Sequence, residues 1–353
     1  MKIAVIPGDG VGQEVIAAGI QVLSAVADLE YQEFPWGSRY FEKTGAMMPK
    51  DGLAKLQDCD AIYLGAVGWP SVPDHITLWG LLLPIRQAFQ QYINLRPVNL
   101  LPGISSPLRA RTPAEIDMLF IRENSEGEYS GAGGRVHRGT PQELAVKVPV
   151  FTRLGIERAA RYALERAMER GPHLISVTKS NASRYVYVLW DEVVEGLAAT
   201  EFPEVRVERM HVDAMAARMV LRPQSIDVVL GSNLFADILT DLGAAIQGSL
   251  GLAASANLDP SRTHPSVFEP VHGSAPDIAG KGLANPLGAI LTGALLLSHL
   301  GLREEAQRVE HAVGRVTGQG VALTADLGGS ARTADVVEAV LAELRRPDDG
   351  GGA

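Results

Sequence analysis

Short apolar runs alternate with longer amphipathic stretches along most of the chain. Runs typical of buried strands occupy residues 2–6, 61–66, 117–121, 174–177, 205–210 and 228–230. Helical patterns lie between them, and the one at 152–170 carries its Arg and Glu residues on one face. Strands that alternate with helices in this way predict an α/β fold.

One stretch, residues 227–243, combines a short strand, a Gly-Ser-Asn turn and a helical pattern that contains Asp237 and Asp241. Their spacing of four residues places both carboxylates on one helical face, beside apolar side chains. Two interpretations stay open at this point. The pair is either a solvated acidic edge, whose like charges repel by about 0.2–0.5 kcal/mol, or half of a divalent-cation site.

A long apolar run at residues 283–300 predicts a buried helix. It contains Asn285, Pro286 and two glycines, and it is shorter than the ~20 apolar residues that a membrane helix needs. No secretion signal is recognisable, so we expect a cytoplasmic protein with no membrane association. The Gly- and Asp-rich tail, 346–353, predicts disorder.

Length and charge narrow the class of protein. A chain of 353 residues is long for one core and predicts two lobes. The change of texture suggests that residues 99–249 form a small domain inserted into a larger one of 1–98 and 250–345. A net charge of −9 without a basic tract argues against nucleic acid as a partner. Cys59 is the only cysteine, which excludes an intrachain disulfide and a cysteine-built zinc site.

Three arginines occur where predicted strands or helices end, namely Arg86, Arg96 and Arg122. The guanidinium group suits bidentate binding of carboxylates. Any one of them alone is more often part of a surface ion pair. The three together favour an anion clamp.

Two further positions suggest proton transfer. Lys179 directly follows strand 174–177, at the carboxyl end where α/β proteins place ligands, and it is either a base or a solvated loop lysine. Tyr129 lies in a glycine-flanked loop, as an acid or as a packing residue. Asp213 follows strand 205–210 and, with Asp237 and Asp241, would make an oxygen donor set suited to Mg²⁺ or Mn²⁺.

Two glycine-containing loops are candidates for binding phosphate. Gly8, Gly10 and Gly12 follow the first strand, but their GxGxG spacing differs from the GxGxxG fingerprint. A tight turn explains these glycines equally well. The HGSAP loop at 272–276 could cradle a phosphate with its backbone, and alone it is a weak signal.

Seven motifs occur in order between residues 7 and 286: PGDGVGQEV, NLRPV, RENSEGEYSG, TKSN, HVDAMAAR, SNLFADILTDLG and FEPVHGSAPDIAGKGLANP. Together they resemble the metal-dependent β-decarboxylating dehydrogenases, which act on isopropylmalate, isocitrate, homoisocitrate, tartrate or D-malate. The resemblance implies a two-domain isopropylmalate-dehydrogenase-like fold with mixed central sheets flanked by helices, distinct from the Rossmann fold. It also implies a homodimer with active sites shared between subunits.

By this resemblance, Arg86, Arg96 and Arg122 would bind the substrate carboxylates. Asp237 and Asp241 would hold Mg²⁺ or Mn²⁺ together with Asp213 of the partner subunit. Lys179 of the partner subunit would be the base and Tyr129 the acid. Whether K⁺ is needed as well stays open.

The same resemblance places NAD in the large domain. The implied contacts are His272, Gly273, Ser274, Ala275, Pro276, Asp277 and Asn285. Asp277 favours NAD over NADP, because a carboxylate binds a ribose diol and repels a 2′-phosphate.

Departures from the family patterns bear on the substrate. Trp79, Leu82 and Leu83 precede Arg86 and would face the variable part of the substrate, where isocitrate enzymes have a Ser at Gly80 and an Asn at Leu82. Trp79 and the RENSEGEYSG motif are most similar to tartrate/D-malate dehydrogenases, and the leucines keep 3-isopropylmalate as an alternative. A non-catalytic regulatory subunit is a remote third interpretation, because the lysine, the tyrosine and the aspartates are all present.

Overall fold

The computed structural model describes residues 1–346, which form two compact units. Unit one comprises Met1–Gln91, Pro97–Ile116 and the described chain from Ala244 onward. Unit two comprises Tyr92–Arg96 and Asp117–Gly243. Apart from Arg346, the tail predicted to be disordered lies outside the described residues.

The strands confirm the alternating pattern read from the sequence. In chain order they are β1 Lys2–Ile6, β2 Glu30–Glu33, β3 Ala61–Leu64, β4 Ile93–Asn99, β5 Asp117–Glu123, β6 Gly133–Val136, β7 Leu144–Lys147, β8 His173–Thr178, β9 Arg206–His211, β10 Val228–Gly231, β11 Ala254–Leu258 and β12 Ser266–Pro270.

The helices fall between these strands and after the last of them. They are α1 Gly12–Ser24, α2 Ser38–Thr44, α3 Gly52–Gln57, α4 Asp74–Thr77, α5 Leu83–Ala88, α6 Arg153–Arg170, α7 Arg184–Glu201, α8 Val212–Leu221, α9 Asn233–Ile246, α10 Leu287–His299, α11 Arg303–Gln319 and α12 Thr333–Leu344. In the described part of the chain, no helix is both long and apolar enough to span a membrane.

Unit one contains a mixed sheet with the strand order β2-β1-β3-β12-β11. Neighbours are parallel except β11 and β12, which are antiparallel. Every residue of β3 is buried, as expected for a strand covered on both faces, and this is why such strands read as unbroken apolar runs. The sheet therefore confirms the α/β class and the mixed strand directions.

Unit two has the order β4-β5-β10-β8-β9, in which β5, β10, β8 and β9 are parallel neighbours. Helix α6 packs beside β5, β8 and β10, and its Ala and Leu face is buried. A separate antiparallel ribbon, β6–β7, is exposed at all of its eight positions.

Some boundaries differ from those expected from the sequence. Residues 99–116 and 244–249 belong to unit one. The two segments are joined by the bond from Ser106 Oγ to Ile246 O, and the first packs on α11, where a Cβ at Gly103 would lie 2.1 Å from Thr317 O. The pattern of residues 78–92 predicts one helix, whereas the structure has a π-helical turn at Leu78–Leu82 followed by α5, which ends at Ala88. The short strands β2, β6, β11 and β12 have no counterpart in the sequence pattern.

Candidate active site

The two aspartates of α9 lie beside arginines of unit two. Asp237 accepts a short contact from Arg122 Nη1, and its Oδ1 is 3.2 Å from Arg96 Nη2. Asp241 Oδ1 lies 3.8 Å from Arg96 Nη1. The side chains of Asp237 and Asp241 keep 33% and 62% of their exposure. The like-charge repulsion along the helix is therefore offset by two guanidinium groups.

The arginines are buried and fixed by side chains that the sequence analysis did not single out. Arg122, at the end of β5, donates from Nε and Nη2 to Asn233 Oδ1 at 3.0 and 2.7 Å. Arg96 donates from Nε to Asn94 Oδ1 and from Nη1 to Thr240 Oγ1, both at 2.7 Å. Such bonds hold each fork in one orientation, which a carboxylate-binding site requires.

Tyr129 joins the same cluster of side chains. Its hydroxyl donates to Asp237 Oδ2 at 3.1 Å, and Arg122 lies 5.5 Å from the centre of its ring. A one-turn 3₁₀ helix carries it between Gly127 and Gly131, which have φ of +71° and +82°. Glycine is the residue that adopts this conformation without strain, so the loop geometry that places the phenol depends on both.

The charge on Asp241 is the least compensated in the cluster. Desolvation raises the pKa of Asp241 first, Arg96 opposes this, and the neighbouring Asp237 raises it further. Because the side chain is largely exposed, solvent screens part of these effects. A hard divalent cation prefers oxygen ligands, and Asp241 offers the more exposed carboxylate of the pair.

Lys179 and Asp213 form a second pair in unit two. Lys179 lies just after β8, Asp213 is in the first turn of α8, and Nζ is 2.5 Å from Oδ1. The hydrogen bond from Lys179 lowers the pKa of Asp213. Within residues 1–346, no three His, Cys, Asp or Glu side chains form a metal-binding group. A single described chain thus supplies Asp237 and Asp241 without Asp213.

The predicted substrate residues of unit one lie on and after the π-helical turn. Arg86 is buried and donates from Nη2 to Glu269 Oε1 at 2.9 Å. Trp79 is 42% exposed, whereas Leu83 is 3% exposed and part of the core. A Cβ at Gly80 would lie 2.6 Å from Met47 Cγ, so this wall of the turn has no room for a serine unless Met47 moves.

The loop after β12 carries the predicted cofactor residues. Since a carbonyl only accepts, His272 Nδ1 donates to Gly273 O at 3.0 Å, and burial lowers the pKa of His272. The neutral ring leaves Nε2 as a buried acceptor without a partner among the described residues. The exocyclic amine of an adenine can satisfy such an acceptor. The free acceptor on His272 is therefore compatible with the adenine part of a dinucleotide.

Other predicted residues of the loop have structural partners. Ser274 O accepts from Val11 N at 2.8 Å, which ties the loop to the start of α1. Asn285 Oδ1 accepts from Leu287 N, and its Nδ2 donates to Asp326 Oδ2 at 2.9 Å. Of the remaining predicted positions, Gly273, Pro276 and Asp277 are exposed, and Ala275 has a φ of +38°.

One residue of this loop's support was missed in the sequence. Glu14, in the first turn of α1, accepts from Gly280 N and, at 2.9 Å, from Gly282 N. Both glycines have positive φ, so their N–H groups point away from any regular ladder and need an acceptor. Nothing local marks this contact, because 266 residues separate Glu14 from Gly280.

Unit two thus holds two aspartates beside buried arginines, and a tyrosine contacts one of the aspartates. This arrangement in an α/β fold points to the isocitrate dehydrogenase-like class of enzymes. The structure resembles that of isocitrate dehydrogenase from Methylococcus capsulatus with a TM-score of 0.90 and 34% identity, over 98% of this chain and 99% of that one. The sequence profile of the isocitrate/isopropylmalate dehydrogenase family matches residues 2–340. The chain belongs to this family.

Curated relatives narrow the comparison. A probable tartrate dehydrogenase/decarboxylase of Agrobacterium vitis, TtuC′, is 55% identical over 96% of both chains. The D-malate dehydrogenase [decarboxylating] of Escherichia coli K12 is 49% identical over 96% of this chain and 97% of its own. The tartrate dehydrogenase/decarboxylase of Pseudomonas putida is 46% identical over 98% of both.

Proposed function

We propose that the protein catalyses the NAD-dependent oxidation and β-decarboxylation of a malate-type 2-hydroxy diacid, as a tartrate/D-malate dehydrogenase. The observation that carries the proposal is the cluster of Arg96, Arg122, Tyr129 and Asp237 in unit two. It combines carboxylate-binding groups with a proton donor and a cation ligand. The names of the most similar relatives support the choice of tartrate or D-malate.

Binding and orientation are the role of the arginines. Arg96 and Arg122 are held rigidly, so they can receive a substrate carboxylate with little loss of side-chain entropy. Arg86 would contribute a third contact, provided that it exchanges its bond to Glu269 for one to the substrate. When bound, NAD accepts a hydride and the divalent cation withdraws charge from the substrate hydroxyl and carbonyl.

Proton transfer falls to Lys179 and Tyr129. The base role requires Lys179 as the neutral amine, so its side chain must leave the contact with Asp213 and release a proton to solvent. It then takes the proton of the substrate hydroxyl. After loss of CO₂, the hydroxyl of Tyr129 donates a proton to carbon, and its contact with Asp237 keeps the phenol oriented for this step.

The cofactor and assembly follow from the same set of residues. Asp237 and Asp241 would bind Mg²⁺ or Mn²⁺ with Asp213 of the partner subunit, which would make the working form a homodimer. A cytoplasmic location stays an expectation from the sequence. The exposed Asp277 favours NAD, because it would repel the 2′-phosphate of NADP. The role of K⁺ is a matter for assay.

A 3-isopropylmalate dehydrogenase is the second candidate. Leu82, partly buried on the π-helical turn, favours it as an apolar contact for a branched substituent. Leu83 does not, since it is 3% exposed and belongs to the core. A regulatory subunit is disfavoured, because Lys179, Tyr129 and both aspartates of α9 are in place.

The decisive experiment is NADH formation by the purified protein with Mn²⁺, comparing kcat/KM for D-malate, tartrate and 3-isopropylmalate. We expect the highest value with D-malate or a tartrate. A higher value with 3-isopropylmalate would move the protein to the second candidate. The absence of turnover with all three would contradict the enzymatic proposal.

A further inference from the structure

Unit one contains a cavity that we call the α1–α2 cleft. It has a volume of about 520 Å³, and its walls include Ile16, Ala17 and Ile20 of α1 and Arg39 and Lys43 of α2. This volume falls in the range of about 300–1,000 Å³ that is typical of small-molecule sites. None of the residues assigned to substrate, metal or cofactor lines it.

The apolar wall of the cleft is pre-formed. Ile16, Val5 and Trp36 are 1%, 2% and 5% exposed, so each is held in the core of the unit. Trp36 packs against Phe34 with a centroid distance of 4.7 Å, which fixes its ring. These residues form a fixed floor, and the apolar surface that a ligand would bury is that of Ala17, which is exposed, and Ile20, which is partly buried.

The polar rim carries both signs of charge. Arg39 and Lys43 lie four residues apart on α2, and neither has an ion-pair partner among residues 1–346. Glu33, at the end of β2, also lines the cleft. Asp9 is already engaged, since it accepts from Ser38 N, Ser38 Oγ and, at 2.9 Å, from Gly68 N.

We propose that the α1–α2 cleft binds a free amino acid with a large apolar side chain. The ligand carboxylate pairs with Arg39, which binds it bidentately, and with Lys43. Its ammonium group pairs with Glu33, and its side chain fills the wall of Ile16, Ala17 and Ile20. A purely anionic ligand would leave Glu33 without an opposite charge, and a purely cationic ligand would leave Arg39 and Lys43 without one.

Calorimetric titration of the full chain with L-phenylalanine tests the proposal, with 3-phenylpropionate and phenethylamine as matched probes that lack one charge each. We expect saturable binding of phenylalanine. Each probe should bind about tenfold more weakly, the equivalent of one lost charged contact. Equal binding of 3-phenylpropionate and phenylalanine would overturn the proposal, as would the absence of saturable binding.

Variants assign each charge to its group. Arg39→Gln should weaken phenylalanine about tenfold and leave phenethylamine unchanged, whereas Glu33→Gln should weaken phenylalanine and leave 3-phenylpropionate unchanged. Ala17→Trp, at an exposed position of the wall, should fill the cleft and abolish binding. Lys55→Gln, on the exposed face of α3, is the matched control. Unchanged phenylalanine affinity in Arg39→Gln would refute the assignment.

Discussion

At the scale of single residues, the active-site arginines show what sequence can and cannot predict. Arg122 was recognisable because it follows an apolar run near the end of a strand, and Arg96 because it precedes a proline, although it lies in the middle of β4. Their pairing with Asp237 was not, since 115 residues separate Arg122 from that carboxylate. Asn94, which orients the Arg96 guanidinium, is only two residues away on the same strand, whereas Asn233 is 111 residues from Arg122 and reaches it only in the folded chain.

Lys179 provides the sharpest test of the proton transfer. Lys179→Met should lower kcat by about 10²–10⁴-fold, the usual contribution of a general base. Mn²⁺ affinity should be kept, because the carboxylate of Asp213 is still present. Steady-state kinetics and calorimetric Mn²⁺ titration separate the two effects. Lys55→Met is the control for loss of a charged lysine, and normal turnover in Lys179→Met would exclude the base role.

His299 links pH to stability. Burial, followed by the charge of Arg262, lowers the pKa of His299 from 6.5 to about 4. Between these values the unfolded chain binds a proton that the folded chain does not, so stability falls as the pH falls from 6.5 to 4, by at most about 3 kcal/mol. In His299→Phe, urea unfolding should show a smaller loss over this window.

The matched control for His299→Phe is His311→Phe, at an exposed position of α11. It should show the same pH dependence as the natural chain. An equal loss of stability in all three proteins would contradict the role given to His299.

At the scale of elements, long periodic segments were predicted well and short or irregular ones were not. Helices α6 and α9 match the sequence pattern closely. Strands β11 and β12 were missed, because residues 254–258 are small and 266–270 merge into a Pro- and Gly-rich loop. The π-helical turn interrupts a segment whose pattern predicts one helix, and the sequence LWGLL contains no residue that would indicate the turn.

The first turn of α1 should control cofactor binding through its contact with the loop after β12. Glu14→Gln replaces one acceptor oxygen by an NH₂ group, which would face the N–H of Gly280 or Gly282. We expect KM for NAD to rise about tenfold with kcat nearly unchanged, as for a lost charge-assisted hydrogen bond.

The control for this variant is Glu30→Gln, at an exposed position of β2. Kinetics at varied NAD and a thermal melt of both variants decide the matter. A fall in kcat with an unaltered KM would show that Glu14 does not act by holding the cofactor loop.

At the scale of the whole molecule, the proposed sharing of residues between subunits predicts complementation. Lys179→Met and Asp241→Asn should each be inactive alone. In a mixed dimer, one site would receive intact Asp241 from one subunit and intact Lys179 from the other. Random exchange should therefore restore about a quarter of the natural specific activity.

The experiment requires mixing after partial denaturation and refolding, with each variant refolded alone as the control. Activity above that of both separate variants is the expected result. No recovery, despite mixed dimers that are verified by mass, would mean that Lys179 and Asp241 serve the same site from one chain.

The β6–β7 ribbon has a consequence for handling the protein in dilute solution. Val136, Leu144 and Val146 are 52%, 54% and 50% exposed, and a two-stranded ribbon with no covered apolar face is marginal in water. The ribbon therefore needs a contact with another part of the protein or with a partner to stay ordered. In the proposed homodimer a second copy would cover the ribbon, and this covering would follow mass action. Dilution should then make residues 133–147 the first site of proteolytic nicking, before the protein unfolds.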